Sequence, residues 1–271
     1  MTAFQAIVLG IVQGLTEFLP ISSTAHLRIV PAFLGWDDPG AAFTAVVQLG
    51  TMAAVLLYFR SDILRIFLAW VRGIRDPAVR GDLDSRLGWY IVLGTIPIGI
   101  FGLVFHNQIE SGARNLELIG TALILFSLVM LAADRQARQT RRIDDLNRSD
   151  GVFIGIAQAL ALVPGVSRSG ATISAGLFRG LDRTSAARYS FLLSIPAVVL
   201  SGLFELPKIG DKGGAGTVPT IVATLLAFVV GYASIAFLLR YLARHDLMVF
   251  VIYRVVLGAV VLVLAANGTI S

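Results

Sequence analysis

The sequence contains no cysteine and few charged residues. Without cysteine the chain has no disulfide, no thiolate metal site and no cysteine nucleophile. Only 14% of its 271 residues are charged and 56% are hydrophobic, whereas an average soluble domain has about 25% charged and roughly 45–50% apolar residues. The mean hydropathy is +0.80. This composition excludes an ordinary soluble enzyme, a disordered chain and a nucleic-acid-binding domain, and it favours a polytopic membrane protein.

The N-terminal stretch also lacks a basic residue, since the first one is Arg28. A cleavable signal peptide has a positively charged beginning, so we expect none here and expect the apolar segments themselves to direct insertion. The net charge of +5 and the pI near 10.0 would suit a nucleic-acid partner. Membrane proteins, however, carry an excess of Arg and Lys in short cytoplasmic loops, and this explanation is the one that we adopt.

Long apolar stretches indicate both spans and interrupted segments. About 20 apolar residues cross a hydrocarbon core, and six stretches qualify: 41–59, 88–106, 116–133, 186–204, 219–240 and 248–266. Two further apolar regions, 3–30 and 151–178, are interrupted by LPISSTAH (19–26) and VPGVSRSGAT (163–172). Because proline breaks a helix, each region is predicted to form a re-entrant hairpin. Non-helical backbone at membrane depth survives only when it is buried or lines a wet cavity, so the two polar turns are the candidate functional positions.

The distribution of basic residues predicts an orientation. If each hairpin is followed by three spans, one side of the membrane receives only Arg114, Lys208 and Lys212. The other side receives sixteen basic residues: Arg60, Arg65, Arg72, Arg75, Arg80, Arg86, Arg135, Arg138, Arg141, Arg142, Arg148, Arg179, Arg183, Arg188, Arg240 and Arg244. The positive-inside rule makes these Arg-rich loops cytoplasmic. Both termini and the mouth of the first hairpin then face outward, and the second hairpin enters from the cytoplasm.

The two halves of the chain resemble each other at an offset of 145 residues. Gly10, Gln13 and Ser22 align with Gly155, Gln158 and Ser167, and segment 41–59 aligns with 186–204. A hairpin plus three spans changes side an odd number of times, so the second copy is inverted. We therefore predict an all-α polytopic membrane protein with six transmembrane helices and two re-entrant helical hairpins. It forms a single integral domain over 1–271, with inverted-topology repeats at about 1–134 and 150–271 and the two turns meeting near the midplane.

Reactive and ligand-binding side chains cluster around the first turn. Gln13 and Glu17 share one helical face because they are four residues apart, and an ionisable side chain in an apolar segment is costly unless it faces a partner or a wet cavity. Hydroxyls and an imidazole follow, at Ser22, Ser23, Thr24 and His26. These groups are suited to nucleophilic, acid–base and metal chemistry. Ser22 or Ser23 can instead cap the next helix, and the two roles are compatible.

The second turn has the features of an anion site. Gly165 lets the backbone approach a ligand closely, and the helix that follows presents free amides with a partial positive charge. Arg168 adds a planar fork that suits phosphate oxygens, although a structural ion pair between Arg168 and Glu17 is the alternative. Together the two turns predict an enzyme or carrier for a phosphorylated amphiphile. Its phosphate is expected on Ser167, Arg168, Ser169, Gly170 and Thr172.

The motifs QGLTEFLPISSTAH (13–26) and PGVSRSGAT (164–172) closely resemble the two signatures of the undecaprenyl-diphosphate phosphatase family, the bacitracin-resistance type. The resemblance extends over essentially the whole chain and includes GTIPIGI (94–100), FLLSIP (191–196) and YR (253–254). It implies a bacterial inner-membrane hydrolase that converts undecaprenyl diphosphate to undecaprenyl phosphate and inorganic phosphate, with its site open to the outer face. The family recycles this lipid carrier for peptidoglycan synthesis, supports cell-wall biogenesis and cell shape, and confers resistance to bacitracin.

The resemblance also implies roles for individual residues. Glu17, Ser23 and His26 match the first motif, and Ser167, Arg168 and Thr172 match the phosphate-binding residues of the second. Members use a divalent cation; Gln13 stands where many have Glu, so with Glu17 as the sole carboxylate we expect Mg²⁺ or Ca²⁺ to be held largely by the diphosphate and water. Gln13, Ser22 and Thr24 complete the expected substrate contacts.

The mechanism that these residues predict is displacement at the terminal phosphorus. Ser23 is the candidate nucleophile, Glu17 or His26 takes its proton, and Arg168 with the amides of the second turn stabilises charge. Direct attack by water, or by His26 itself, is the alternative, and the sequence does not choose among them.

The competing function is a transporter or flippase of polyprenyl phosphate, because interrupted helices and inverted repeats are typical of transporters. A membrane scaffold fits poorly with Glu17, His26 and Arg168 in apolar segments. Arg254 is expected either to be an ion-pair partner or to belong to the diphosphate site, and Gln48 either belongs to the site or cross-links helices. Residues 205–217 are expected to form an outer loop. Membrane lipids are the other expected partners, and the sequence does not fix the oligomeric state.

Overall fold

The computed structural model describes residues 1–105, 108–109, 114–205 and 215–270, and these ranges contain helices and no β-strand. Eleven α-helices have defined bounds, which in chain order are α1 (Ala3–Thr16), α2 (Ser23–Leu34), α3 (Gly40–Tyr58), α4 (Arg60–Arg75), α5 (Leu83–Val104), α6 (Leu116–Gln136), α7 (Arg148–Ala159), α8 (Arg168–Phe178), α9 (Arg183–Glu205), α10 (Thr217–Leu242) and α11 (Met248–Ala266). The predicted all-α class is therefore confirmed. Most of the predicted outer loop at 205–217, including Lys208 and Lys212, lies outside the described residues.

Five of the six predicted spans correspond to single helices that are long and apolar enough to cross a membrane, namely α5, α6, α9, α10 and α11. The sixth, predicted at 41–59, corresponds to α3. This helix is long and apolar enough to cross a membrane only when it is counted together with α4, and the two helices are bent by 79° relative to each other. The chain is thus an integral multi-pass membrane protein.

The four shortest of these helices lie in the two interrupted regions, and each is too short to span a bilayer alone. α1 and α2 have 14 and 12 residues, and α7 and α8 have 12 and 11, whereas a span needs about 20. α1 packs against α10, and α7 packs against α5. Glycine permits both contacts: a Cβ on Gly10 would lie 2.6 Å from the carbonyl oxygen of Ala223, and one on Gly155 would lie 2.5 Å from the Cα of Gly94.

Helix α4 lies where the sequence analysis assigned an Arg-rich loop. The arginines of this segment indicated a loop, but an apolar stripe at helical spacing runs along it. Large apolar side chains on one face remain exposed, at Leu64, Phe67, Leu68, Val71 and Ile74, while Arg60, Arg65, Arg72 and Arg75 supply the charge. A helix with this pattern, set at 79° to the preceding span, is typical of an element that lies in the membrane interface.

A buried carboxylate at the start of α7 links the chain segments before and after the second interrupted region. Asp150 accepts from Arg141 Nη2 at 2.5 Å and from Arg179 Nε at 2.6 Å, and its side chain is fully buried. Burial by itself raises the pKa of the Asp150 carboxyl, but the hydrogen bonds from Arg141 and Arg179 outweigh it and hold the pKa below its usual value. The same contact raises the pKa of Arg141.

The contact between α7 and α5 predicts that Gly155→Ala destabilises the protein. The added methyl meets the backbone of Gly94, which cannot move without displacing α5, and overpacking of this kind costs about 1–3 kcal/mol. We expect a lower melting temperature in detergent. The matched control is Gly99→Ala on α5, where a Cβ meets nothing within 4 Å; equal melting temperatures for the two variants would contradict this packing.

The Asp150 cluster predicts acid-sensitive stability. Since the pKa of Asp150 is depressed in the folded protein, its contribution is present above the unfolded value of about 3.9 and is lost as the pH falls through the folded pKa. Asp150→Asn should cost about 1.5–3 kcal/mol at neutral pH, because two partly exposed guanidinium groups lose the carboxylate that accepts their hydrogen bonds. The melting temperature of this variant should vary less with pH below 4. Asp144→Asn, an exposed carboxylate nearby, is the control and should behave like the wild type.

Candidate active site

The two polar turns lie against each other, and each ends in a serine with unusual backbone geometry. Ser22 has φ 74° and Ser167 has φ 76°, a left-handed conformation that is strained for a residue with a Cβ. Each serine caps the helix that follows: Ser22 Oγ accepts from the amide of Ala25 at 3.4 Å, and Ser167 Oγ accepts from that of Gly170 at 3.1 Å. The capping alternative considered for Ser22 is thereby confirmed, and the same geometry recurs 145 residues later.

The Glu17 carboxylate, just after α1, accepts hydrogen bonds from four side chains. Its Oε2 accepts from Ser23 Oγ at 2.5 Å, from Gln13 Nε2 at 2.9 Å and from Gln48 Nε2 at 3.3 Å. Its Oε1 accepts from Arg168 Nη2 at 2.5 Å. Glu17 and Ser23 are both buried. The predicted contact between the acid of the first turn and the guanidinium of the second is therefore present, and Gln48, left open above, is part of it.

Arg168, at the start of α8, retains donor capacity beyond its pair with Glu17. Its Nη1 is buried and has no hydrogen-bond partner within the described part of the chain. A second contact between the turns lies beside it, where Ser169 Oγ donates to the carbonyl of Leu19 at 3.2 Å. A buried guanidinium nitrogen without a partner is costly, and an anionic oxygen would satisfy it. The arrangement suits an anion that approaches Arg168, Glu17 and Ser23 together.

Arg254 on α11 holds the backbone of both turns. Its side chain is fully buried; Nη1 donates to the carbonyl of Pro20 at 3.2 Å, Nη2 to that of Gly165 at 2.8 Å, and Nε to Ser127 Oγ at 2.9 Å. No carboxylate pairs with it among the described residues. The ion-pair alternative proposed for Arg254 does not hold there, and its observed role is to satisfy two carbonyls that the broken helices leave free.

His26 lies close to the cluster but makes its hydrogen bonds elsewhere. Its Nδ1 lies 2.7 Å from the carbonyl oxygen of Ser22, and its Nε2 lies 2.7 Å from the hydroxyl of Tyr253. The Ser23 hydroxyl donates to Glu17 and not to the imidazole. Of the two candidate bases for Ser23, Glu17 is therefore the one in contact.

The remaining predicted residues surround this centre. Thr24 is exposed and its hydroxyl lies 3.2 Å from Ser22 Oγ. Thr172 is fully buried; it lies 2.5 Å from Ser190 Oγ and donates to the carbonyl of Arg168 at 2.8 Å, which supports the first turn of α8. Their assignment to substrate binding stays a prediction. Tyr253 was named above only within the YR pair of the resemblance and without a role, and Ser127 was missed altogether, since each reaches the site from a distant helix.

The side chains at the centre offer few ligands for a resident cation. No group of three or more His, Asp or Glu side chains able to hold a metal occurs in the described ranges. One oxygen is unused there: Gln13 Oε1 is buried and has no hydrogen-bond partner among the described residues. An amide oxygen beside a carboxylate suits a hard cation, provided that most other ligands come from substrate and water.

Comparison with known proteins agrees with this arrangement. Residues 6–260 match the family described as Bacitracin resistance protein BacA. A protein of Mycobacterium sp. (strain KMS) named Undecaprenyl-diphosphatase is 57% identical over 275 residues, covering 100% of this chain and 99% of the relative. Relatives of the same name come from Nocardioides sp. (strain ATCC BAA-499 / JS614), 54% identical over 98% of each chain, and from Thermobifida fusca (strain YX), 51% identical over 100% of this chain and 93% of the relative.

A multi-pass membrane protein with a buried acid–serine–arginine centre is the class that fold and site define. The chain belongs to the BacA family, as the resemblance of its motifs predicts, and it is accordingly a hydrolase.

The contact between Arg168 and Glu17 predicts a graded effect of substitutions at Arg168. Arg168→Lys keeps a charge beside Glu17 but loses the planar fork, whereas Arg168→Ala removes both. We expect phosphate release from undecaprenyl diphosphate, the substrate named for these relatives, to fall by roughly 10²–10³-fold in Arg168→Ala and by less in Arg168→Lys.

Melting temperatures separate the two roles considered for Arg168. If Arg168→Ala unfolds more easily but turns over normally, the pair is structural only. Arg135→Ala on the exposed end of α6 serves as the control for loss of a positive charge.

Proposed function

We propose that the protein hydrolyses the terminal phosphate of undecaprenyl diphosphate, releasing undecaprenyl phosphate and inorganic phosphate. The observation that carries the proposal is the contact set of Glu17, Ser23 and Arg168, in which a hydroxyl lies 2.5 Å from a carboxylate and beside a guanidinium with a free nitrogen. A nucleophile, a base and an anion donor within one buried cluster are the parts that phosphoryl transfer requires. Membership of the BacA family supports the same reaction.

In the proposed mechanism Ser23 Oγ attacks the terminal phosphorus. Its proton passes to Glu17 Oε2 as the bond between that phosphorus and the bridging oxygen breaks, and Glu17 then passes the proton to the departing undecaprenyl phosphate. Water next attacks the phosphoserine: Glu17 takes its proton, phosphate leaves and Ser23 Oγ is reprotonated. Arg168 shares its donors between Glu17 and the transferring oxygens, and so stabilises the charge that accumulates on them.

Two alternatives for the nucleophile have less support. Attack by His26 requires a free Nε2, and this nitrogen is already in hydrogen-bond contact with Tyr253. Direct attack by water activated by Glu17 uses the same base and remains the competing route, distinguished below by substitution of Ser23.

A divalent cation, Mg²⁺ or Ca²⁺, is proposed to accompany the diphosphate. Gln13 Oε1 and Glu17 would hold it from the protein side, and its chemistry would be to neutralise phosphate charge. Gln13 supports this placement because its carbonyl oxygen is buried without a partner in the described part of the chain.

The proposed setting is the bacterial inner membrane, with the Arg-rich connections cytoplasmic and the site open to the outer face. In this topology the interrupted regions are re-entrant hairpins of an inverted repeat. The paired strained serines, Ser22 and Ser167, and the paired close contacts at Gly10 and Gly155 support the repeat. The reaction would recycle the lipid carrier for peptidoglycan synthesis and confer resistance to bacitracin.

The serine route predicts the outcome of Ser23→Ala. Loss of the attacking oxygen should lower kcat by several orders of magnitude, on the order of 10⁶-fold where a serine is the nucleophile, while the fold persists. The measurement is phosphate release from undecaprenyl or farnesyl diphosphate by purified protein in detergent. Ser234→Ala is the control, since that hydroxyl bonds its own helix at Val230.

Normal turnover of Ser23→Ala would exclude the serine route and favour water. If the wild-type protein releases no phosphate and instead moves polyprenyl phosphate between leaflets of a vesicle, the transporter hypothesis replaces the proposed function.

A further inference from the structure

Tyr253 on α11 has no role in the mechanism above, yet it contacts a residue of the site. Its hydroxyl lies 2.7 Å from His26 Nε2, and the two rings are parallel, with centroids 5.6 Å apart and 7° between their planes. The tyrosine is 44% exposed on the outer face of α11, whereas His26 is only 5% exposed. Tyr253 therefore reaches inward from the periphery of the bundle to a buried imidazole.

Hydrogen-bond chemistry fixes the direction of both bonds to the imidazole. The carbonyl of Ser22 can only accept, so His26 Nδ1, 2.7 Å away, carries a proton and donates it. In the neutral ring Nε2 is then an acceptor, and the Tyr253 hydroxyl donates to it. The Ser22 carbonyl thus sets the tautomer, and the Tyr253 hydroxyl, which donates to the remaining lone pair on Nε2, holds the orientation of the ring.

The oriented imidazole supports the strained end of the first turn. The carbonyl of Ser22 accepts from His26 twice, from Nδ1 at 2.7 Å and from the backbone amide at 3.2 Å. Ser22 has the left-handed φ of 74°, a conformation that persists only when its surroundings hold it. Ser23 follows directly, so the position of the Ser22 peptide decides whether Ser23 Oγ lies within reach of Glu17.

The second turn provides an internal comparison. Ser167 has nearly the same φ of 76°, but its carbonyl accepts from the backbone amide of Ala171 at 2.9 Å. Ala171 is the residue that corresponds to His26 at the offset of 145, and it has no side-chain donor. A second, side-chain hydrogen bond to the strained carbonyl is therefore found at the turn that carries Ser23.

We propose that Tyr253 is a positioning residue: its hydroxyl holds the His26 ring in one orientation, and His26 in turn holds the Ser22 carbonyl so that Ser23 is aimed at Glu17. The proposal rests on the proposed function for the part that concerns turnover. Tyr253 acts through His26 and contacts neither Ser23 nor Glu17 directly.

Tyr253→Phe tests this role because it removes the hydroxyl and keeps the ring. We expect kcat for undecaprenyl diphosphate to fall roughly tenfold or more, the rate equivalent of one lost hydrogen bond, with KM changed less than about threefold, since the anion donors are untouched. Tyr232→Phe on α10 is the matched control: that tyrosine is also partly exposed and packs on Tyr58, and its hydroxyl has no hydrogen bond within the described residues.

The second readout is the side-chain nitrogen spectrum of protein labelled with ¹⁵N-histidine. The chain has three histidines, so His26→Gln identifies the signal of His26. In the wild type we expect one tautomer, protonated at Nδ1. In Tyr253→Phe we expect a shift of the Nε2 resonance, because this nitrogen loses its hydrogen-bond donor, and in Tyr232→Phe we expect no change. In a double-mutant cycle, adding Tyr253→Phe to His26→Gln should cost little further activity.

The outcomes distinguish a failure of the proposed function from a failure of the positioning role of Tyr253. If wild-type protein releases no phosphate, the proposed function fails and the effect of Tyr253 on turnover fails with it, whereas the spectrum still reports the bond to His26. If the wild type is active and Tyr253→Phe matches it in kcat, the positioning role is overturned alone. The role is also overturned if Tyr253→Phe loses activity while the His26 signal keeps its wild-type form, because the loss then arises through packing.

Discussion

The structure depends on satisfying the backbone where two helices are broken inside an apolar bundle. A carbonyl or amide that loses its helical partner in such a place cannot turn to water, and each one left unpaired is costly. Arg254 supplies donors to two of these carbonyls at once, one in each turn. Ser22 and Ser167 cap the amides on the other side of the breaks. A single guanidinium therefore bonds to both turns. Together with the contacts of Arg168 with Glu17 and of Ser169 with Leu19, it sets the distance between the turns and the geometry of the site.

Charge balance within the buried centre has a direct bearing on its chemistry. Glu17 accepts from four side chains and carries the negative charge that Arg168 requires. One guanidinium nitrogen and one amide oxygen, Arg168 Nη1 and Gln13 Oε1, remain without partners among the described residues. The first suits an anion and the second suits a cation. A diphosphate that arrives with a divalent cation would satisfy both, so the unsatisfied atoms match the two charges of one ligand.

Much of the fold and the centre could be predicted from the sequence, because apolar length and helix breakers are local signals. The positions of α5, α6, α9, α10 and α11 follow from hydropathy alone, and the pairing of Glu17 with Arg168 follows from the cost of leaving either charge unpaired in an apolar segment. Helix α4 was missed because its arginines mask an apolar stripe. The contacts of Arg254 and Tyr253 could not be predicted, since each depends on which groups α11 faces, and those groups lie 89 residues or more away in the sequence. Residue spacing carries no information about that contact.

The two turns share a backbone geometry but differ in the side chains that they carry. This difference explains how the proposed repeat would form an asymmetric site. Both turns place a strained serine at the start of a helix. The side chain of the next residue, Ser23 in one turn and Arg168 in the other, then points to where the two turns meet. The same backbone thus presents the proposed nucleophile from one half and the proposed anion donor from the other. A hydroxyl must be aimed to within a few tenths of an ångström to react, whereas a long guanidinium adapts to its ligand. This difference accounts for the extra support that His26 gives to the first turn and that Ala171 cannot give to the second.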